Sequence, residues 1–195
     1  ALPASGQDPD WKGFSDNEDT KLLWQTVFRN KAVMDTYEPG SVFKAITASA
    51  AIEEGIMGPS TSVYCKPVSL SGHTINCWRA GGHGAEDFLH AVYNSCNPVF
   101  VNVGLNLGIE KFYSYVKLFG FQERTGIELQ GEPTNQDYKN LWHQDPKEID
   151  LAVSAFGQRF QVSPIQLITA YGAIVNGGTL LKPTIVKQIR RASCR

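Results

Sequence analysis

The most restrictive feature of the chain is a serine followed one helical turn later by a lysine, at Ser41 and Lys44. On a helix, residues three positions apart lie on the same face, so the hydroxyl and the amine become neighbours. A serine hydroxyl is a poor nucleophile until a base takes its proton. A lysine becomes such a base when burial or a positive neighbour lowers its pKa. The spacing therefore indicates a candidate nucleophile and a candidate base.

The residues around this pair predict that Ser41 begins a helix. Pro39 and Gly40 are turn residues, and an alanine-rich helical pattern follows from Val42 to Glu54. At a helix start, free backbone N–H groups and the helix dipole stabilise a developing negative charge. Serine is also a common N-cap, so the same residues fit an ordinary cap followed by a solvated lysine. The pair alone leaves both interpretations open.

A second polar motif follows at Ser95-Cys96-Asn97. The hydroxyl of Ser95 is suited to relay a proton, and the amide of Asn97 is suited to bind a substrate carbonyl and hold a lysine. Cys96 lies between them, and in a turn its side chain should point away from theirs, which favours a packing role. The two motifs together supply a nucleophile, a base, a relay and an amide.

Each motif also has a decoy elsewhere in the chain. Ser114 and Lys117 repeat the first spacing, and Ser15 and Asn17 repeat the second. The first decoy lies in an aromatic amphipathic stretch with no Ser-x-Asn after it. The second precedes every Ser-x-x-Lys pair, which is the wrong order. Both therefore rank below the main pair.

In sequence and order, the two motifs resemble those of the penicillin-binding proteins. Tyr37 to Lys44 is similar to the active-serine segment of these enzymes, and Asn94 to Pro98 is similar to their second motif. The likeness is greatest to class B, monofunctional transpeptidases of the stage V sporulation protein D and division type, and it covers nearly the whole chain. Further stretches that resemble this branch are Cys77-Trp78, Gly82 to Gly84, Phe156 to Gln158, Val162 to Leu167, Ala170-Tyr171 and Asn176 to Gly178.

The resemblance implies an α+β fold of the penicillin-binding, serine-transpeptidase (β-lactamase-like) type, with an antiparallel sheet, a helical subdomain and the site between them. Residues 1–195 are then a partial transpeptidase domain, mostly the helical subdomain with an incomplete antiparallel sheet. The N-terminal membrane anchor, the first strands and the C-terminal strands are expected to be absent.

The third family motif, Lys-Thr-Gly or Lys-Ser-Gly, has no match in the chain. The nearest string is Lys182-Pro183-Thr184, in which proline would remove a backbone donor from a strand that must bind ligand. The chain is therefore expected to be truncated, and to be a poor or inactive acylating enzyme, although the parent protein would be active.

The activity implied by the resemblance is that of a peptidoglycan D,D-transpeptidase that works through a serine acyl-enzyme and is acylated by β-lactams. Ser41 would be the nucleophile and Lys44 its base. Ser95 would relay the proton to the leaving group, and Asn97 would bind the donor peptide and orient the lysine. No metal or cofactor is needed for this reaction.

The same resemblance implies where the protein works and what it meets. The partners would be peptidoglycan stem peptides, β-lactams and cell-wall proteins of division or sporulation. The domain would lie outside the bacterial cytoplasmic membrane, held there by an anchor. Two alternatives stay open: a β-lactam sensor or hydrolase on the same scaffold, and a non-catalytic cell-wall interaction module. A hydrolase would need a base for its deacylating water, and no glutamate in the sequence is placed for that role.

Composition excludes some partners. The formal net charge is −1, from 18 basic and 19 acidic residues, so nothing favours binding to nucleic acid or to an anionic membrane surface. Hydrophobic residues make up 42% of the chain, enough for a sizeable core. No apolar run approaches the roughly 18 residues that span a bilayer.

The cysteines allow more than one interpretation. Cys65 and Cys77 bracket a predicted hairpin with its turn at Ser71-Gly72, so they could form a disulfide across it or remain unpaired. A zinc site is disfavoured, because neither a Cys-x-x-Cys nor a paired Cys/His spacing occurs. The four histidines form no ligand pattern, and His83 between glycines indicates a tight loop.

Hydrophobic periodicity and turn residues predict the remaining elements. The aromatic residues Tyr113, Tyr115 and Phe119 occur at helical spacing, which favours the core over a sugar-binding stripe. The predicted helices are residues 21–34, 41–55, 85–93, 98–108, 109–119 and 164–175, and the predicted strands are residues 60–79 and 180–189, with a loop at 123–138.

Overall fold

Helices dominate the part of the chain that the structure, a computed structural model, describes, which is Arg29 to Val186. Two small antiparallel sheets, β1 with β4 and β2 with β3, accompany them. The α+β class is therefore confirmed. The elements in chain order are α1 (Lys31–Met34), a 3-10 helix (Gly40–Phe43), α2 (Lys44–Glu53), β1 (Ser62–Cys65), β2 (Val68–Leu70), β3 (His73–Ile75), β4 (Gly84–Asp87), α3 (Phe88–Tyr93), α4 (Asn97–Leu118), α5 (Asn135–Asn140), α6 (Glu148–Ser154) and α7 (Pro164–Val175).

Helix α4 is the centre of the core. Its first half is almost entirely buried and packs against α2 and α6. At Gly104 a Cβ atom would come within 2.6 Å of the Ala155 Cβ, so this glycine lets α4 approach the end of α6 closely. Gly108 has φ 75° and ψ 163°, which breaks the helix into two segments. The predicted break at Gly108 is therefore confirmed.

The predicted hairpin between residues 67 and 76 is also confirmed. Val68 pairs with Ile75 and Leu70 pairs with His73, so a two-residue loop joins β2 to β3. Both loop residues, Ser71 and Gly72, have positive φ. This is the geometry that two-residue hairpins favour, because it matches the twist of the strands.

Three sequence predictions are corrected. The helix expected from Ala85 begins at Phe88, because Gly84–Asp87 pairs with β1 as strand β4. The loop expected at 123–138 contains the start of α5. The strand expected at 180–189 is wrong for residues 180–186. They lie beside residues 126–128 but form no ladder of backbone hydrogen bonds with them or with any other described segment.

Some sequence predictions fall partly or wholly outside Arg29–Val186. They are most of the helix predicted at 21–34, the decoy at Ser15 and Asn17, and the end of the strand predicted at 180–189. Within the described range, no helix is long and apolar enough to cross a membrane.

The segment that leads to Ser41 is held by the stretch around Gly157. The Gly40 N–H donates to the Gly157 carbonyl at 2.8 Å, and Tyr37 exchanges two backbone hydrogen bonds of 3.0 Å with Val162. Gly157 has φ +88°, and a Cβ atom there would lie 2.0 Å from the Gly40 carbonyl oxygen. Only glycine therefore fits between these two backbones.

Replacing Gly157 with alanine is expected to destabilise the fold by at least about 2 kcal/mol, through backbone strain and the collision with Gly40. The matched control is Gly172→Ala in α7, where nothing lies within 4 Å of the added Cβ. That change should stabilise the protein by about 0.5–1 kcal/mol. The measurement is denaturant unfolding of both variants, and equal free energies of unfolding would contradict the close contact.

Candidate active site

Ser41 and Lys44 lie on one short turn, but their side chains have opposite environments. Ser41 is exposed within the 3-10 helix, whereas Lys44, the first residue of α2, is 3% exposed. Phe43 between them is fully buried and stacks its ring edge on Phe160 at 4.7 Å between ring centroids. This aromatic contact fixes the turn, so the hydroxyl faces solvent while the amine lies beneath it.

The second motif forms a tight turn between α3 and α4. Ser95 has φ 50°, a conformation that side-chain-bearing residues rarely adopt. The next residue, Cys96, donates its backbone N–H to the Ala91 carbonyl at 3.0 Å and is completely buried. Ser95 and Asn97 are half-buried on the opposite side, toward α2. The predicted inward packing of Cys96 is confirmed.

The Lys44 amine is the point where the two motifs meet. Its Nζ donates to Asn97 Oδ1 at 2.6 Å, to the Ser95 carbonyl at 2.7 Å and to Ser95 Oγ at 2.8 Å. The Ser41 Oγ lies 3.3 Å away, the longest of the four contacts. The structure thus brings all four predicted residues together around one nitrogen.

The decoy at Ser114 has a different environment. Its hydroxyl donates to the Lys111 carbonyl at 2.7 Å, one turn earlier on α4. Ser114 and Lys117 are both exposed, whereas the Lys44 side chain is buried. The sequence ranked this pair below Ser41 and Lys44. In the described part of the chain, the Lys117 amine lacks the serine and asparagine oxygen acceptors that surround the Lys44 amine.

Burial lowers the pKa of Lys44 to about 8, although the nearby Cys96 and Cys77 thiols oppose the shift. A charged amine has three protons to donate, and a neutral amine has two protons and a lone pair. In the neutral state, two N–H bonds can serve the two shortest contacts, Asn97 Oδ1 and the Ser95 carbonyl. The lone pair is then available to accept a proton from a neighbouring hydroxyl.

Asn97 is oriented by this contact. Because Lys44 donates, the amide must present its oxygen to the amine, which directs Nδ2 the other way. Between Arg29 and Val186 no acceptor takes a hydrogen bond from that nitrogen. Asn97 therefore keeps an N–H donor for a ligand carbonyl next to the exposed Ser41 hydroxyl.

Sequence reasoning missed a second group of reactive side chains, the cysteine–histidine cluster of Cys65, Cys77, His83 and Cys96. One ligand atom from each lies within 4.8 Å of the others. The three cysteines are free, so the structure brings Cys65 and Cys77 together without a bond between them.

The expectation that the histidines form no ligand pattern is therefore wrong for His83. Its partners come from the end of β1, from the loop between β3 and β4 and from the turn before α4. Because these ligands are distant along the chain, no local spacing motif reveals them. The only sequence signal is that three of the four cysteines fall between residues 65 and 96.

Comparison with known proteins places this geometry in a family. The family model "Penicillin binding protein transpeptidase domain" matches residues 5–193. Stage V sporulation protein D of Bacillus subtilis is 45% identical over 162 residues, which cover 82% of this chain and 25% of that protein. Peptidoglycan D,D-transpeptidase MrdA of Haemophilus influenzae is 30% identical over 192 residues, covering 90% of this chain and 29% of that protein.

Solved structures agree with the sequence comparisons. The penicillin-binding protein PBP2 from Helicobacter pylori aligns with a TM-score of 0.72 and 27% identity over 86% of this chain and 34% of the other. This chain thus spans 25% to 34% of the length of these three relatives. Because the family model matches residues 5–193, a range that includes both motifs, the chain belongs to the penicillin-binding protein transpeptidase domain family.

Proposed function

We propose that this chain carries the acylation site of a peptidoglycan D,D-transpeptidase. The observation that supports this most directly is the buried Lys44 amine in contact with Ser41 Oγ, Ser95 Oγ and Asn97 Oδ1. Two relatives add to it, since MrdA of Haemophilus influenzae and PbpA of Mycobacterium tuberculosis are both named peptidoglycan D,D-transpeptidases. The substrate is then a peptidoglycan stem peptide, and β-lactams acylate the same serine.

In the first step, neutral Lys44 takes the proton of Ser41 as its oxygen attacks the carbonyl carbon of the penultimate D-alanine. A C–O bond forms, and the carbonyl oxygen becomes an oxyanion. The backbone N–H of Ser41, in the first turn of the 3-10 helix, is suited to stabilise that charge. The Asn97 amide, fixed by Lys44, binds the donor peptide through Nδ2.

In the second step, the C–N bond to the terminal D-alanine breaks, and its nitrogen needs a proton. Ser95 Oγ lies 2.8 Å from the Lys44 Nζ, so it is placed to pass a proton from the lysine to this leaving group. The resulting ester on Ser41 is then attacked by an amine of a neighbouring strand. The same residues act in reverse order, with Lys44 accepting the proton of that amine.

A transpeptidase is favoured over a β-lactam hydrolase by the polar groups at the site. Hydrolysis of the acyl-enzyme needs a base that activates water, usually a carboxylate or a second basic group. Among the described residues, no carboxylate forms a hydrogen bond or ion pair with Ser41 or Lys44. The acyl-enzyme is then expected to persist until an amine arrives.

We place the working domain at the outer face of the bacterial cytoplasmic membrane, because its substrate is the peptidoglycan there. Cell-wall proteins of division or sporulation are the proposed partners. The support is the identity of 45% with stage V sporulation protein D. The proposal extends to the longer protein in which such a domain works, since the chain matches only part of each relative.

The first test of this proposal uses labelled penicillin. Ser41→Ala is expected to abolish the covalent adduct. Among the described residues the Lys44 amine contacts two hydroxyls, and Ser41 is exposed whereas Ser95 is half-buried. Ser114→Ala is the matched control and should leave the adduct unchanged, since it removes a serine with the same Ser-x-x-Lys spacing. Peptide mapping by mass spectrometry identifies the labelled residue. An adduct that survives in the Ser41 variant would rule out the assigned nucleophile.

The second test examines the base. With the pKa of Lys44 lowered to about 8, the fraction of neutral amine grows tenfold per pH unit below that value, and the acylation rate should follow it and then level off. Lys44→Arg keeps a positive charge but cannot lose its proton. It should reduce the rate by about 10²–10⁴-fold and abolish the rise with pH.

The measurement for the base is the second-order rate of acylation between about pH 6 and pH 9, where penicillin labelling is followed by gel fluorescence. Asn97→Ala serves as a comparison, because it should lower the rate through weaker binding while keeping a rise with pH. A flat profile in the unmodified protein would show that Lys44 is not the group whose deprotonation limits acylation.

A further inference from the structure

The cysteine–histidine cluster has nearly the dimensions of a metal site. Its four ligand atoms lie within 4.8 Å of one another, and Cys77 Sγ is 3.4 Å from His83 Nδ1. Tetrahedral zinc has Zn–S bonds of about 2.3 Å and Zn–N bonds of about 2.0–2.1 Å. Those bond lengths imply ligand-to-ligand separations of about 3.5–3.8 Å. Small side-chain movements would bring the four ligand atoms from separations of up to 4.8 Å to the separations of a tetrahedral zinc site.

The backbone around the cluster is built for close approach. Cys65 ends β1 and pairs with Gly84 of β4. Gly82 has φ +73°, and a Cβ atom there would lie 2.8 Å from the Cys65 carbonyl oxygen and 3.3 Å from its sulfur. The loop that carries His83 can therefore fold directly onto Cys65, which a larger residue at position 82 would prevent.

The four ligands divide into two buried and two accessible groups. Cys65 and Cys96 are 4% and 0% exposed, whereas Cys77 and His83 are half-buried. An ion can therefore reach the cluster from the side of the loop. Trp78 packs on the His83 ring at 5.5 Å and donates its indole N–H to the Asn94 carbonyl at 2.8 Å, which joins this loop to the second motif.

We propose that Cys65, Cys77, His83 and Cys96 form a structural zinc site of the Cys₃His type. Three sulfurs and one imidazole nitrogen are a usual ligand set for structural zinc, and four protein ligands leave no open position for substrate or water. Binding releases the three thiol protons to solvent and uses the neutral imidazole.

The site has a consequence for the second motif, and this part rests on the proposed function. Cys96 is bonded to both Ser95 and Asn97, the residues that contact Lys44. A zinc ion on the Cys96 sulfur would fix the turn from behind, so that Ser95 Oγ and Asn97 Oδ1 keep their places. Zinc is thus a positioning element and takes no part in the acyl transfer itself.

The competing state is a disulfide between Cys65 and Cys77. It would use two of the four ligands and leave Cys96 and His83 with no shared partner. The zinc site accounts for the convergence of all four side chains, whereas the disulfide accounts for two of them. The two states are mutually exclusive, because a disulfide sulfur cannot bind zinc as a thiolate.

The first experiment measures metal in the full-length protein that contains this chain, purified without a histidine tag from zinc-supplemented medium. Elemental analysis should give a single zinc per chain. Replacement by Co²⁺ should give the charge-transfer and visible bands of a tetrahedral thiolate site. Protein without zinc, a Cys65–Cys77 disulfide in non-reduced mass spectra, or iron with sulfide in place of zinc would each overturn the proposal.

Two ligand variants locate the ion. Cys77→Ser and His83→Ala should each lose the zinc or bind it far more weakly. His73→Ala, which removes an exposed histidine of β3, should keep a full zinc content. Zinc retained at full content by folded ligand variants would place the ion elsewhere and overturn the proposal. If a ligand variant does not fold, the Co²⁺ spectrum of the unmodified protein shows whether the metal has tetrahedral thiolate ligands, and a spectrum without thiolate bands would overturn the proposal.

The effect on the second motif is measured by removing zinc with a chelator and following penicillin labelling. Displacement of Ser95 and Asn97 should lower the acylation rate by up to about 10²-fold, and added zinc should restore it. An unchanged rate in folded, zinc-free protein would overturn the positioning role. Failure of the zinc-loaded protein to label at all would instead contradict the proposed function, while the metal content would still stand.

Discussion

The rest of the site depends on the burial of the Lys44 amine. An ammonium group in an apolar interior is strongly unfavourable unless hydrogen-bond acceptors surround it. Here three of its four oxygen partners come from Ser95 and Asn97, on a turn 51 to 53 residues further along the chain. The first turn of α2 and the turn before α4 therefore stabilise each other. If either turn is displaced, the Lys44 amine loses its hydrogen-bond acceptors on Ser95 and Asn97.

The sequence predicted these four residues from two short motifs together with the family resemblance, and their roles stay a prediction. A hydroxyl and an amine one turn apart are a local pattern, and the turn residues Pro39 and Gly40 indicate the start of the helix. The hairpin at Ser71-Gly72 and the break at Gly108 are equally local, since each follows from residues that tolerate positive φ. Wherever the neighbouring residues decide the conformation, the sequence prediction and the structure agree.

Most of the failures involve partners that are remote in the sequence. The missed start of α5 is the exception, because its capping box joins Thr134 to Asp137, three residues away. Gly84–Asp87 has helical potential at its end, yet it pairs with β1 some twenty residues earlier and becomes a strand. Residues 180–186 have the composition of a strand, but a strand exists only where another one pairs with it. The cysteine–histidine cluster also gave no local signal, because its side chains come from three separate segments and leave no Cys-x-x-Cys spacing. Gly157, which fits against Gly40, also gave no local signal.

The turn at Ser95-Cys96-Asn97 shows how one short segment can serve two centres. Its side chains alternate: Ser95 and Asn97 lie toward Lys44, and Cys96 lies toward Cys65 and Cys77. A residue at φ 50° needs contacts on both sides to hold it, because the conformation is unfavourable in isolation. Lys44 provides the contacts on one side, and the cysteine–histidine cluster provides them on the other. Loosening either side would free the turn, so the position of the Lys44 amine depends on both sets of contacts.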